Sequence, residues 1–452
     1  MNKQILRTPF YLLIVLVLMS ASAIGQEVIR FKPIQPTTED STYLDANFKA
    51  YTLATLNTED IYNLLRTKNY FTSVDLKFND QLFSFSLRPR DIRAPQYKLR
   101  MATDNGVVEL PRSPNKTYTG YTKVGNHDVR ITSDLDYFAC MILDDQDELY
   151  IEQASNIIKG AASNMYVIYK GSDNLKKFNL GACGVHSGQT QQFDPGVDPH
   201  DVASDPNSLR ACKEVEIALA DDHLMFNEYG SVAAVENHNM TVLNNVETNY
   251  DFEFATDLQF NLVEIFVATS SGNDPWTNST DPGALLDDFT DWAPNGFDNT
   301  HDNASLWSNR DFNGDVIGLA WLSTVCSGLR YNVLQDFSTN ADYLRVLQAH
   351  EMGHNFGADH DANGSPYIMA PVLQNTSQWS TASINAIDNK INSVGCLGPC
   401  GVPQPPVANF TADPTEGCTP LVVAFDDLST NAPTSWLWTF EGGTPSTSTN
   451  QN

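Results

Sequence analysis

The feature that most constrains this 452-residue chain is the spacing of three histidines in its C-terminal half. Residues 349–362 read A-H-E-M-G-H-N-F-G-A-D-H-D-A, which places His350 and His354 four positions apart. Side chains at that spacing share one face of an α-helix, so both imidazoles can reach one metal ion. Gly357 can take the left-handed conformation that ends a helix, and the chain can then return with His360 as third ligand. The pattern predicts a helix and a tight turn folded around a metal.

The residues that precede the histidines support this helix. Leu344 and Leu347 supply an apolar face at helical spacing, and either Thr339 or Asn340 can cap the start. The other histidines of the chain show no comparable spacing. The predicted metal site is therefore confined to this helix and the turn after it.

The ligand set predicts a catalytic zinc ion. Three neutral imidazoles leave one tetrahedral position open to a water molecule, whose pKa zinc lowers to about 7. Glu351, beside the first ligand, can take the proton of that water and pass it to a leaving amine. The sequence predicts hydrolysis of peptide bonds with Glu351 as general base.

These residues resemble the metzincin clan of zinc endopeptidases, whose motif H-E-x-x-H-x-x-G-x-x-H is followed by a methionine turn. The segment Y-I-M-A-P at residues 367–371 is similar to that turn, which implies that Met369 lies beneath the ligands. Asn355 after the second histidine and Asp361 after the third resemble the reprolysin branch, which includes adamalysin, snake-venom and ADAM-type enzymes. The resemblance implies an α/β catalytic domain with a mixed sheet and an active-site helix.

The resemblance extends upstream to a substrate-binding strand and a cysteine. Gly318, Leu319 and Ala320 match the family's edge strand, which would pair with an extended peptide, although an ordinary buried strand is the alternative. In the family, the cysteine after this strand pairs with one at the domain end. That implies a Cys326–Cys396 disulfide, with Cys400 as the other candidate partner.

The chain has seven cysteines, so at least one of them has no intramolecular disulfide partner, and Cys183 is the candidate. Its surroundings, G-A-C-G-V, resemble the family's cysteine-switch segment, in which a propeptide thiolate occupies the fourth zinc position. A disulfide to Cys140 or Cys212 is the alternative. The switch would make the chain a latent zymogen with its propeptide as intramolecular inhibitor.

The chain divides by composition into four predicted parts. Residues 1–25 read as a secretory signal peptide, with positive charge, an apolar run too short to span a bilayer, and small residues before the cut. Residues 26–208 form a predicted β-rich propeptide that ends in a polar, proline-containing linker, and residues 209–400 form the protease domain. Residues 401–452 resemble the start of a PKD-type β-sandwich, in which no binding residue can be assigned.

Local patterns predict individual elements of the two larger parts. Alternating apolar residues predict strands around residues 74–78, 83–87 and 165–169, with one helix near residues 59–65. In the second part, strands at residues 215–219 and 258–268 alternate with helices from about residue 232 and over residues 284–292. The first part is predicted to be mostly β and the second α/β.

The overall charge limits the partners. With 27 Lys+Arg against 55 Asp+Glu, the net charge of −28 disfavours nucleic acids and anionic membranes. The predicted partner is a protein or peptide substrate, met outside the cell. Acidic runs at residues 144–148 and 311–315 lack the spacing of an EF-hand, so no calcium requirement follows from them.

Two rival functions remain open at this point. The chain could be a secreted adhesion or binding protein with an inactive protease-like domain, although Glu351 argues against that reading. Alternatively, the enzyme could be active while the first part is a permanent ligand-binding domain rather than a propeptide.

Overall fold

A computed structural model describes residues 28–66, 72–78, 81–143, 147–175, 182–186, 211–251, 253–400, 408–417, 420–427, 429 and 436–449. The predicted signal peptide and nearly all of the predicted linker lie outside these residues. Within the part of the chain that the structure describes, none of the helices has the length and apolar character of a membrane span.

The described residues up to 175 form twelve strands and two α-helices. The strands are β1 (Val28–Arg30), β2 (Lys32–Pro33), β3 (Thr52–Thr55), β4 (Thr72–Phe78), β5 (Gln81–Pro89), β6 (Arg93–Thr103), β7 (Gly106–Leu110), β8 (Thr117–Thr122), β9 (Asp128–Asp134), β10 (Tyr137–Leu143), β11 (Glu148–Gln153) and β12 (Met165–Lys170). The helices are α1 (Thr38–Asn47) and α2 (Thr58–Arg66). We call residues 28–175 the N-terminal unit.

Ten of these strands form one sheet in the order β1-β4-β5-β8-β9-β10-β11-β12-β3-β2. The two end strands, β1 and β2, are separated by a single residue of chain, so the sheet curls back towards itself. One face buries an apolar core that includes Val74, Leu76, Phe85 and Leu87, in agreement with the predicted alternation. The strand predicted at residues 165–169 and the helix predicted at 59–65 are both confirmed, as β12 and α2.

Helix α1 was not predicted, and its sequence explains why. The segment TEDSTYLDAN buries only Leu44 and Asn47, so it shows no apolar periodicity. The helix begins with a capping box in which Thr37 accepts from the backbone N–H of Asp40, whose carboxylate accepts from the N–H of Thr37. This polar start stabilises a helix that hydrophobic pattern does not reveal.

Between residues 182 and 400, the part of the chain that the structure describes forms seven strands and five α-helices. The strands are β13 (Ala182–His186), β14 (Cys212–Asp221), β15 (Asp257–Ala268), β16 (Asn303–Ser308), β17 (Val316–Trp321), β18 (Tyr331–Gln335) and β19 (Gly398–Pro399). The helices are α3 (His223–Tyr229), α4 (Val232–Val246), α5 (Pro282–Gly296), α6 (Ala341–Asn355) and α7 (Thr381–Ser393). The predicted alternation of strands with helices is confirmed, and the unit is mixed α/β.

The second sheet has the order β13-β17-β18-β16-β14-β15-β6-β7, with β19 paired to β14. Its central strands are parallel, whereas β17 runs antiparallel to β18. Helices α4 and α6 pack on one face over a core that includes Val346, Leu347 and Met352, and α5 packs on the other. This arrangement places α6 beside β17.

This sheet extends across the predicted domain boundary at residue 208. Strands β6 and β7 belong to the stretch predicted as propeptide, yet they complete the edge next to β15. Strand β13, from the same stretch, lies at the opposite edge beside β17. The composition of the chain changes near residue 208, but strands from both sides of this boundary are hydrogen-bonded in one sheet.

Two disulfides lie within residues 211–400, which we call the catalytic region because they include the predicted metal ligands. Cys326 pairs with Cys396, as the family resemblance implied, and Cys400 pairs with Cys212. Cys183 and Cys140 are both buried and free. The alternative in which Cys183 forms a disulfide with Cys140 or Cys212 is therefore wrong in this structure.

The tail contains two short hairpins: β20 (Phe410–Asp413) with β21 (Ala424–Asp427), and β22 (Trp438–Thr439) with β23 (Thr447–Ser448). The rings of Phe410, Phe425 and Trp438 pack against one another, with centroid distances of 6.1 Å (Phe410–Phe425), 5.9 Å (Phe425–Trp438) and 5.6 Å (Phe410–Trp438). A PKD-type β-sandwich remains a prediction for this segment.

Candidate metal centre

Helix α6 brings the predicted ligands together. It ends at Asn355, and Gly357 has a φ of +95°, so the chain makes the left-handed turn that the sequence predicted. His350, His354 and His360 each offer a ring nitrogen, and these nitrogens lie within 4.8 Å of one another. The Nε2 atoms of His354 and His360 are 3.2 Å apart.

Backbone carbonyls orient two of these rings. Nδ1 of His350 donates to the carbonyl of Ile368, and Nδ1 of His354 donates to that of Ala358, both at 2.7 Å. A proton on Nδ1 leaves Nε2 as the lone-pair nitrogen, which is the arrangement typical of metal-binding histidines. Burial lowers the pKa of His350 to about 3, so its ring is neutral near pH 7.

The surroundings of these nitrogens fit a zinc ion. His350 Nε2 is buried and has no hydrogen-bond partner in the described chain. The Glu351 carboxylate beside it is also fully buried, and the Cys183 sulfur is the polar group next to it. Buried polar atoms normally have partners. Three converging neutral imidazoles beside a buried carboxylate form the donor set that zinc accepts in hydrolytic enzymes.

Burial also disfavours the charged form of the Glu351 carboxyl. Removal from water raises the pKa of this carboxyl to about 8, and the nearby Cys183 thiol offsets part of the effect. Glu351 lies against β17: a Cβ placed on Gly318 would come within 2.3 Å of Glu351 Oε1. Gly318, which the sequence assigned to a substrate strand, thus makes room for the carboxylate.

Met369 lies beneath the histidine-bearing helix. Its side chain is fully buried, and a Cβ on Gly353 would be 2.7 Å from the Met369 sulfur. The backbone N–H of Asp361 donates to the carbonyl of Met369 at 2.8 Å. Asp361 also accepts from Ser380 Oγ at 2.6 Å, which links the third histidine's loop to the start of α7.

Cys183 reaches this centre from β13. Its sulfur, a His350 nitrogen and a Glu351 oxygen all lie within 4.8 Å of one another. The backbone N–H of Cys183 donates to the carbonyl of Pro371 at 3.1 Å, and a Cβ on Gly184 would be 2.6 Å from Leu319. Burial, followed by the nearby Glu351 carboxylate, raises the pKa of Cys183 well above its usual range.

The predicted substrate strand is covered in this structure. Leu319 and Ala320 lie in β17 and are buried, and β13 runs parallel to β17, with Gly184 opposite Leu319. Strand β17 is therefore not a free edge in this structure, because β13 pairs with it, and its role as a substrate strand stays a prediction.

Sequence reasoning missed two supports of the centre. The sequence identifies Asn355 only as a residue typical of the reprolysin branch. In the structure, its side-chain amide links α6 to strands β16, β17 and β18 by hydrogen bonds. Tyr250, to which no role was assigned, donates from its hydroxyl to the carbonyl of Ala349 at 2.8 Å, immediately before the first histidine. No local pattern identifies such contacts, because the partners are distant in the chain.

Comparisons with known proteins agree with this geometry. A family model described as metallo-peptidase family M12, of reprolysin type, matches residues 211–393. Recombinant fibrinogenase II, a zinc metalloproteinase of Deinagkistrodon acutus, is 31% identical over 170 residues, covering 36% of this chain and 71% of its own length. Atroxlysin-1, a venom metalloproteinase of Bothrops atrox, is 32% identical over 174 residues, covering 35% of this chain and 81% of its own length. The chain therefore belongs to the reprolysin-type metallopeptidases of family M12.

Proposed function

We propose that the chain is a secreted zinc-dependent endopeptidase made as a latent zymogen. The observation that carries the proposal is the convergence of His350, His354 and His360 beside the buried carboxylate of Glu351. Export is supported by the signal-like residues 1–25 and by two disulfides, which form and persist in oxidising compartments.

The three histidines would hold the zinc ion, which supplies a Lewis acid that polarises the scissile carbonyl and acidifies water. Glu351 accepts a proton from the attacking water as its oxygen joins the carbonyl carbon. The same carboxyl then returns the proton to the nitrogen as the C–N bond breaks, which releases an amine and a carboxylic acid. Strand β17 would orient the peptide by pairing with its backbone.

Latency follows from the position of β13. This strand covers the edge of β17, and Cys183 places its sulfur against His350 and Glu351. A thiolate is a good zinc ligand, so Cys183 would exclude both water and substrate from the ion. Residues 26–208 would thus act as the inhibitory propeptide.

The general-base role can be tested with Glu351→Ala in activated enzyme. Zinc content, measured by elemental analysis, should stay at one ion per chain, while hydrolysis of a peptide library should fall at least ~100-fold. Glu228→Ala, which removes an exposed carboxylate, is the matched control and should be unchanged. Near-normal hydrolysis by Glu351→Ala would refute the mechanism, and loss of zinc from the His350→Ala, His354→Ala double variant checks the ligands.

The latency role can be tested by comparing two buried free cysteines. Cys183→Ala precursor should hydrolyse peptides before any processing, whereas Cys140→Ala precursor should stay silent, because Cys140 lies in the core of the N-terminal unit. A silent Cys183→Ala precursor whose excised catalytic region is active would show that bulk alone closes the site.

A further inference from the structure

We propose that the N-terminal unit remains bound to the catalytic region after the chain is cut between residues 187 and 210, and that such a cut leaves the enzyme latent. The latent state rests on the proposed role of Cys183, whereas the retention does not. The structure assigns retention to contacts that do not include the metal-site histidines: strand pairing at the sheet edge opposite β13, a charge cluster on α4, and hydrogen bonds to the start of α6.

The first part of that interface is strand pairing. Strand β6 runs parallel to β15, in register from Lys98 opposite Glu264 to Ala102 opposite Ala268. The N–H of Leu262 donates to the carbonyl of Ile92 at 2.7 Å and continues the pairing. Without β6, strand β15 would be an edge with a row of unpaired N–H and C=O groups. The N-terminal unit therefore completes the sheet of the catalytic region.

The second part is a buried charge cluster between the N-terminal unit and α4. Lys116, whose side chain is 2% exposed, contacts Glu236 Oε2 at 2.6 Å, Asn237 Oδ1 at 2.8 Å and Asp134 Oδ2 at 2.8 Å. Tyr97 donates to Glu236 Oε1 at 2.9 Å. Removing one member would leave a buried charge poorly compensated, so the cluster opposes partial separation.

The third part holds the start of the active-site helix. The N-cap residue Asn340 makes no side-chain capping bond to α6, and Glu152 of the N-terminal unit instead accepts from the N–H of Ala341 at 3.2 Å. Tyr150 donates to Asp342 at 3.0 Å. An oxygen acceptor at this position satisfies a backbone N–H that a helix start leaves without an intrahelical partner. The N-terminal unit thus supplies the cap that the helix itself lacks.

Strand β13 makes fewer contacts with the catalytic region than the N-terminal unit does. It has five residues, and among the described residues it pairs with β17 alone and adds one backbone hydrogen bond from Cys183 to Pro371. Its attachment to the retained unit nevertheless keeps Cys183 at a high effective concentration near the metal centre. A cut after β13 therefore changes neither partner of the inhibitory contact. Activation requires a further event that detaches Cys183.

The experiment uses full-length precursor with the recognition sequence of an unrelated protease placed between residues 187 and 210. In the Glu351→Ala background, which prevents self-cleavage, the two fragments should co-elute in size-exclusion chromatography at micromolar concentration after the cut. Separation of the fragments under these conditions would overturn the proposal. This readout needs no activity, so it is independent of the proposed function.

Two further sets of variants identify the contacts that retain the N-terminal unit and the residue that keeps the cut enzyme latent. Lys116→Met should speed dissociation of the cut complex roughly 10- to 100-fold relative to exposed Lys159→Met. Tyr97→Phe is a smaller change and should speed dissociation to a lesser extent. It replaces Lys116→Met in the experiment if that variant does not fold. With Glu351 intact, the cut complex should be silent, and the cut Cys183→Ala complex should hydrolyse peptides while still co-eluting. Equal dissociation rates for all variants, or full activity of the cut wild-type complex, would contradict the proposal.

Discussion

The Asn355 side chain is expected to hold the metal-binding helix against the substrate strand. Its Nδ2 donates to the carbonyls of Trp321 at 2.8 Å and Tyr331 at 3.1 Å. Its Oδ1 accepts from the amides of Asn303 and Asn332, both at 2.8 Å. Because Trp321 ends β17 and Asn355 ends α6, Asn355→Ala should disconnect these elements at the C-terminal end of the helix, next to His354.

The expected cost follows from the groups left without partners. Asn303 also donates to the carbonyl of Arg330 at 3.0 Å, so it keeps a bond, whereas Asn332 loses the acceptor of its Nδ2. A buried group left unsatisfied costs about 1–3 kcal/mol, and the cavity adds to this, so we expect a loss of roughly 2–4 kcal/mol in the free energy of unfolding. At 2–4 °C per kcal/mol for a domain of this size, the melting temperature should fall by about 5–15 °C.

The assay combines thermal unfolding at a fixed scan rate with peptide hydrolysis by the activated enzyme. Asn355→Ala should lower kcat/KM by about 10- to 100-fold, since small misplacement of reacting groups is costly. Asn355→Asp should not rescue it, because a carboxylate cannot donate to the two carbonyls. Exposed Asn392→Ala is the matched control. A melting temperature for Asn355→Ala within about 2 °C of wild type would refute the reasoning.

Three further predictions concern the metal centre and its support. Gly318→Ala should lower hydrolysis by activated enzyme, because the added Cβ would displace the Glu351 carboxylate; unchanged kinetics would show that the strand gives way. Chelation of zinc should abolish hydrolysis and lower the melting temperature, and both should return when zinc is added back; activity that survives complete metal removal would exclude the mechanism. Burial raises the pKa of Glu152 to about 7 from 4.5, so its contribution to stability is fully present below pH ~4.5 and is lost as pH rises through 7. Precursor carrying Glu152→Gln should therefore lose less stability than wild type between pH 5 and 8 in thermal melts, and an identical pH dependence would contradict this.

Local sequence was sufficient for the helix, its turn and the ligand candidates. The four-residue spacing of His350 and His354 follows from helical geometry, and the positive φ of Gly357 follows from its missing Cβ. Both features depend on residues within ten positions of each other. The predicted strands of the second sheet, such as β15, also followed from local apolar pattern.

Contacts between distant segments were decided only by the tertiary structure. Nothing near residue 93 indicates that β6 joins β15, because a strand's apolar pattern shows that it is buried but not which edge it pairs with. Likewise, Glu152 caps α6 from 189 positions away, and the sequence beside Asn340 predicted a local cap instead. Sequence by itself determined the local geometry of the metal centre, through backbone periodicity and side-chain chemistry. Long-range packing decided which segments cover that centre and complete its sheet. Several strand edges and charged side chains could have paired with the same partners, and local sequence does not distinguish among them.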